Sequence, residues 1–118
     1  MNFRYFFILA LLTTFSCERQ KPTKEPLHEE IRVLPKLNPE YYNVAFLIMD
    51  GTFNTEFTAP YDIFQHTKFR EGIKAMNTFT VAKTLKPITT FEGVRILPDF
   101  DYTKDDLPRI DILVVPSA

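Results

Sequence analysis

The stretch VAFLIMDGTFNTEFTAPYDIF, residues 44–64, decides the fold of this chain. It begins with an apolar run of strand length, and the asparagine before it, Asn43, opens the same element. Because the run lacks polar alternation, it predicts a strand that is buried on both faces, as in the centre of a parallel sheet. Asp50 and Gly51 then provide turn residues that end the strand.

A helix is predicted directly after this turn. Its apolar face consists of three aromatic residues at i, i+4 and i+7, namely Phe57, Tyr61 and Phe64. The helix should begin near Asn54 or Thr55, since either side chain can cap it, and should end before Gly72. Pro60 lies inside the span and predicts an irregular first turn or a kink, because proline has no backbone N–H.

Further strands are predicted downstream of the helix. Phe79–Ala82 reads as a second strand, and a strand–helix–strand unit implies a right-handed crossover within a parallel sheet. Residues 88–97 read as a short hairpin around Glu92, and residues 98–108 as a polar turn region. Ile110–Pro116 is another fully apolar strand, which we expect at the centre of the sheet. The pattern predicts a doubly wound α/β domain with helices on both faces, of which residues 43–118 form the N-terminal part.

The charge and the histidine content indicate neither a nucleic-acid partner nor a metal site. The formal net charge is −1, and the 14 basic residues form no traceable basic face, so a nucleic-acid partner is not expected. His28 and His66 stand alone, without the converging ligands that a zinc or iron site needs. We therefore predict no metal site and no cofactor.

The first 42 residues predict an export signal followed by a tether. Residues 1–16 contain a short basic region and an apolar core that is too short to span a bilayer. The residues TFSC, 14–17, resemble the lipobox of bacterial lipoproteins, although Thr14 stands where leucine is usual. This resemblance implies a lipid anchor on Cys17, the only cysteine of the chain, and a place in the bacterial cell envelope. Ordinary cleavage to a soluble periplasmic protein and an uncleaved signal anchor are the alternatives. Residues 17–42 are rich in proline and charge and predict a tether.

Four motifs, taken in order, resemble one known family. They are the strand ending in Asp50-Gly51, the acid-x-x-x-Pro-x-Asp pattern that starts at Glu56, the segment GVRILPDFDY, and the segment IDILVVPSA. Their order and spacing resemble the first half of the DJ-1/PfpI superfamily, which belongs to the class I glutamine-amidotransferase-like proteins. The resemblance implies a flavodoxin-like parallel sheet and covers residues 43–118.

The resemblance also implies roles for three residues. In that family an acid after the first strand points at a cysteine on a later strand-to-helix turn, and Glu56 stands at the acid's position. Backbone N–H groups at the position of Ser117 and Ala118 help to line an oxyanion site in the family. From the residues alone, Glu56 could instead be an acid that the helix dipole favours in the first turn, and Ser117 could be an ordinary loop residue.

We expect the function to depend on a residue that this chain lacks. Cys17 lies in the export signal and cannot serve as the nucleophile, so the full-length form is predicted to be a Cys-dependent hydrolase or lyase that acts on a small molecule. A homodimer would also agree with the resemblance. The alternatives are a non-catalytic ligand-binding module, related to the sensing domains of transcription regulators, and an inactive truncated fragment.

Overall fold

The computed structural model describes residues 32–118, and the folded unit runs from Val33 to Ala118. The predicted signal peptide, residues 1–16, the lipidation site Cys17 and His28 lie outside the described residues. Within the described range, none of the helices has the length and apolar character that a membrane span requires.

The described chain forms one α-helix and six short strands. In chain order these are β1 (Tyr42–Leu47), α1 (Asn54–His66), β2 (Met76–Ala82), β3 (Ile88–Thr89), β4 (Arg95–Ile96), β5 (Phe100–Asp101) and β6 (Ile112–Val114). The main sheet has the order β5-β2-β1-β6, and all of its neighbouring strands are parallel. The small strands β3 and β4 pair antiparallel as the predicted hairpin. The predicted α/β fold with a parallel sheet is confirmed.

The strand order places a crevice beside β1. From β1 the chain moves outwards through β2 to β5, and it then returns to add β6 on the other side of β1. The connection that follows β1 therefore leads away from β6, and the carboxyl ends of β1 and β6 lie side by side where the strand order reverses, which is the point where open α/β sheets form ligand-binding crevices.

The strand β1 is buried on both faces, as predicted. Its residues Val44, Ala45 and Phe46 are fully buried. On one face the Phe46 ring packs against α1, with ring centroids 5.7, 5.1 and 6.1 Å from the three predicted aromatic residues Phe57, Tyr61 and Phe64. This aromatic cluster explains why the helix lies on the sheet, because each ring removes a large apolar area from water.

The opposite face of the sheet is covered without a helix in the described residues. Its buried cluster contains Ala45, Phe79, Val81 and Phe100, and Leu37 and Leu107 pack against it. Leu37 belongs to the segment predicted as a tether, and the neighbouring Asn38 N–H donates to Asn77 Oδ1 at 3.0 Å. The last residues before Tyr42 thus pack against the sheet.

Three local features differ from the sequence-based expectations. The helix does begin at Asn54, but its N-cap is Phe53, without a capping side-chain hydrogen bond. Phe100 and Asp101, placed in a polar turn region, form the parallel edge strand β5. In the sheet of the described residues β6 is an edge strand that pairs only with β1, rather than a central strand, and Leu113 is 54% exposed.

Candidate functional site

Glu56 and Ser117 meet at the crevice beside β1. Glu56 lies in the first turn of α1, shortly after β1, and Ser117 lies three residues after β6. The Ser117 backbone N–H donates to Glu56 Oε2 at 2.8 Å. The Phe53 N–H donates to the Ser117 carbonyl oxygen at 2.9 Å, so two bonds join the segments that follow β1 and β6. The carboxylate at the strand-to-helix junction therefore links the carboxyl ends of two neighbouring strands.

Gly51 and Ala118 complete the contact between these segments. Gly51 has φ +86°, a left-handed conformation that side chains other than glycine rarely adopt, and it turns the chain from β1 towards α1. A Cβ at this position would lie 3.9 Å from the carbonyl carbon of Ala118. All three residues that the family resemblance marks, Glu56, Ser117 and Ala118, thus lie at one place.

The hydrogen bonds of Ser117 stabilise the ionised form of Glu56. The backbone N–H of Ser117, and then its side chain, lower the pKa of Glu56 below its ordinary value of 4.5, because both donate to the charged form. Glu56 is therefore ionised at neutral pH and accepts hydrogen bonds rather than donating them. In this arrangement the Ser117 N–H points at Glu56, so the donor that the resemblance implies for an oxyanion already has an acceptor.

We predict that the Glu56 carboxyl titrates below 4.5 in the folded protein. Because its folded pKa is depressed, its contribution to stability is fully present above the unfolded value of 4.5 and is lost as the pH falls through the folded pKa. An NMR titration of the side-chain carboxyl carbon measures this directly. Ser117→Ala is the matched control: it should raise the pKa only part of the way, since the backbone N–H remains. A midpoint at or above 4.5 would contradict the assignment.

The β3–β4 hairpin holds the loop after β1 in place. The Gly51 N–H donates to the Thr89 carbonyl oxygen at 2.9 Å, and the Thr89 N–H donates to Asp50 Oδ1 at 2.8 Å. The Phe91 N–H donates to the Thr52 carbonyl oxygen at 3.1 Å. These bonds hold the loop after β1 against the hairpin, so the position of the N-terminus of α1 depends on the hairpin.

Glu92 caps the helix from this hairpin. Its Oε2 accepts the Asn54 N–H at 2.9 Å, and this N–H is one of the donors that the first turn of a helix leaves unpaired. The same bond is the largest of the effects that lower the pKa of Glu92. The sequence pattern predicted a cap from Asn54 or Thr55, and Glu92 could not be predicted because a cap from a residue 38 positions away leaves no local pattern.

Thr52 stabilises the turn from inside. It is fully buried, its Oγ1 accepts the Met49 N–H at 3.1 Å, and its own N–H donates to the Met49 carbonyl oxygen at 3.1 Å. These two hydrogen bonds restrict the loop that leads from β1 to the helix turn of Glu56. The only sequence signal for this role is a threonine directly after Asp50-Gly51.

Two aromatic side chains lie beside the site. The rings of Phe53 and Phe91 are 5.0 Å apart between centroids, and these side chains are 37% and 72% exposed. Phe53 also contacts Ser117 through its backbone, as described above. An exposed aromatic pair next to a carboxylate offers both an apolar surface and a polar acceptor to a small molecule.

The other candidate residues have structural surroundings. Asp62 is 72% exposed and lies 3.2 Å from His66 Nδ1, as expected for a solvated helix position. Asp99 Oδ2 accepts the Thr80 N–H at 2.7 Å and the Thr80 hydroxyl at 2.8 Å, so it ties the segment before β5 to β2. Among residues 32–118, no three histidine, cysteine or carboxylate side chains gather in a way that could hold a metal ion.

Comparison with known proteins finds similar solved structures only. No protein-family model and no curated protein matches the chain. A DJ-1 superfamily protein from Agrobacterium tumefaciens is 20% identical, with a TM-score of 0.48 over 64% of this chain and 37% of its own. An AraC family transcriptional regulator from Pseudomonas putida is 13% identical, with a TM-score of 0.45 over 64% of this chain and 46% of its own.

A third similar structure is a ThiJ/PfpI family protein from Pseudomonas syringae. It is 22% identical, with a TM-score of 0.44, and the match covers 77% of this chain and 37% of that protein. The chain thus spans between 37% and 46% of the length of these three structures. Two of the three are named as DJ-1 superfamily or ThiJ/PfpI family proteins, the superfamily that the sequence motifs resemble.

Proposed function

We propose that this chain is the N-terminal part of an exported DJ-1/PfpI-like protein that acts on a small molecule as a Cys-dependent hydrolase or lyase. The nucleophilic cysteine would be supplied by a segment that follows Ala118 in the natural protein. The observation that supports this most is the 2.8 Å hydrogen bond from the Ser117 N–H to Glu56 Oε2. It holds a carboxylate at the crevice between the carboxyl ends of β1 and β6, where such sheets bind ligands.

Glu56 would act as the base of this site. A carboxylate has more acceptor positions than one N–H occupies, so Glu56 can accept a thiol proton while Ser117 holds it. The S–H bond breaks, an O–H bond forms on Glu56, and the thiolate attacks an electrophilic carbon of the substrate. The proton on Glu56 is then available to the group that leaves. Glu56 is ionised before the reaction, and its lowered pKa makes it a weaker base, so the proton that it accepts is readily passed on to the group that leaves.

Mapping the reactive cysteine of the full-length protein tests this proposal. The natural reading frame would be expressed in full, treated with iodoacetamide and digested for mass spectrometry. We expect one cysteine after Ala118, flanked by small residues and followed by a helix, to be alkylated first. A reading frame with no cysteine after Ala118 would overturn the enzyme proposal.

A non-catalytic binding module is the second candidate. The exposed pair of Phe53 and Phe91 favours it, because an aromatic surface beside a carboxylate binds a small molecule without any nucleophile. The cysteine mapping separates the two functions: a residue other than cysteine at the downstream turn would leave binding as the function. A natural frame that ends at Ala118 would instead favour the inactive fragment.

Export and anchoring through Cys17 form part of the same proposal. The lipobox-like residues support a lipid anchor in the bacterial cell envelope, and a soluble periplasmic protein is the alternative. Incorporation of a labelled fatty acid at Cys17 tests the anchor. A purified protein without the labelled fatty acid would favour the soluble periplasmic protein.

A further inference from the structure

A second surface lies at the other end of the sheet from Glu56. It is formed by Ile63 on α1 and by the segment 68–74 between α1 and β2, all of it exposed. We name it the basic apolar patch, and its members are Ile63, Lys68, Phe69, Arg70, Ile73 and Lys74. Nothing in the proposed chemistry uses these residues.

The patch exposes large apolar side chains. Phe69 is 72% exposed, Ile63 is 66% exposed and Ile73 is 53% exposed. Ile63 and Ile73 line one open groove together with Arg70. Exposed apolar residues scattered singly need no explanation, but two that share a groove, as Ile63 and Ile73 do, indicate a surface of contact.

Positive charge surrounds these apolar groups. Between residues 68 and 74 there are three basic residues and one acid, Glu71, which gives 3 − 1 = +2, and Asp62, which lines the groove beside Ile63, reduces this to +1 for the whole surface. The Nζ of Lys68 lies 5.2 Å from the centre of the Phe69 ring, and the Nζ of Lys74 lies 4.2 Å from that of Tyr42. Among the ion pairs of residues 32–118, none involves Lys68, Arg70 or Lys74. The charge is therefore available to an anionic partner.

The patch lies at the N-terminal ends of the parallel strands. It directly precedes β2, and the Tyr42 N–H at the start of β1 donates to the Ala75 carbonyl oxygen at 3.1 Å. Glu56 and Ser117 lie beyond the other ends of the strands, about 20 Å away for a strand of this length. A partner on the patch would thus leave the candidate site open.

We propose that the basic apolar patch rests on the surface of a membrane that contains anionic lipid. Phenylalanine and isoleucine side chains enter the headgroup region, while lysine and arginine side chains pair with lipid phosphates, which is how basic amphipathic surfaces bind membranes. A second copy of this chain fits the patch less well. In a two-fold contact the same surface would face itself, and its positive charges would repel each other. The proposal is independent of the chemistry proposed for Glu56.

Two single-tryptophan variants test this proposal in the full chain. The sequence contains no tryptophan, and Phe69 and Phe91 are equally exposed, at 72% each. Phe69→Trp places the reporter in the patch, and Phe91→Trp places it at the opposite end of the sheet. Each variant is mixed with vesicles of brominated phosphatidylcholine, with or without brominated phosphatidylglycerol, and tryptophan quenching is measured.

We expect the anionic vesicles to quench Phe69→Trp at least about twofold more than Phe91→Trp, with a blue shift of the emission. An anchored chain brings both reporters to the vesicle, so only contact of the patch itself separates them. Lys68→Glu together with Lys74→Glu in the Phe69→Trp chain should abolish the difference, as should high salt.

Three outcomes would overturn the proposal. The two reporters could be quenched equally, or quenching at residue 69 could be the same without the anionic lipid. A blue shift of Phe69→Trp that grows with protein concentration in the absence of vesicles would show that a second copy covers the patch instead.

Discussion

Replacing Phe46 by alanine is expected to destabilise the folded unit by about 3 to 5 kcal/mol, the usual cost of removing a fully buried aromatic side chain. Phe46 is fully buried, and its ring contacts the rings of Phe57, Tyr61 and Phe64. Alanine would leave a cavity between β1 and α1 that these rings cannot fill. A loss of this size is a large part of the stability of an ordinary domain, so the variant should unfold at a clearly lower urea concentration.

Urea denaturation followed by far-UV circular dichroism measures this effect. Phe69→Ala is the matched control, because it removes the same side chain from a position that is 72% exposed, and it should change the free energy of unfolding by no more than about 0.5 kcal/mol. Equal midpoints for the two variants would mean that the contact between β1 and α1 contributes little to stability.

Replacing Glu56 by glutamine is expected to slow the reaction of the downstream cysteine with iodoacetamide at pH 7 by about 10²-fold, at the lower end of the range for a positioned general base. Glutamine has nearly the same shape and can still accept the Ser117 N–H, but it cannot take a proton from a thiol. The effect should shrink as the pH rises, because hydroxide then removes the thiol proton without help.

The rate would be measured on the full-length protein by mass spectrometry over a range of pH. Glu71→Gln is the matched control, since Glu71 is an exposed acid far from Glu56 and should leave the pH profile unchanged. A Glu56→Gln protein that reacts at the same rate and with the same profile would assign Glu56 a structural role only, as a link between the segments that follow β1 and β6.

The elements that could be predicted from sequence are those with a strong local pattern. The apolar run of β1 and the aromatic spacing of α1 indicated both elements, because burial on two faces and burial on one helical face leave different periods. β5 left no such pattern: Phe100 and Asp101 form only two residues of strand within a polar stretch. The pairing of this strand with β2 is decided by distant contacts, which include the bonds from Thr80 to Asp99.

In the candidate site, too, some residues could be predicted from sequence motifs and the contacts between them could not. Sequence motifs named Glu56, Ser117 and Ala118, and these three residues meet in the structure. The hydrogen bond that lowers the pKa of Glu56 could not be predicted, since it joins positions 61 residues apart. Glu92 and Thr52 were missed for a related reason: their side chains support the loop after β1 through contacts that only the folded chain creates.

The pairing of β1 with β6 has a consequence for the synthesis of the protein. Val44 of β1 pairs with Ile112 of β6, and these residues are 112 − 44 = 68 positions apart in the chain. At ordinary translation rates the ribosome needs about 3 to 14 s to add this length. For that time one edge of the most apolar strand in the folded unit lacks its neighbour, and the nascent chain can pair there with another chain. We therefore expect the yield of folded protein to depend on chaperones that bind β1 during these seconds.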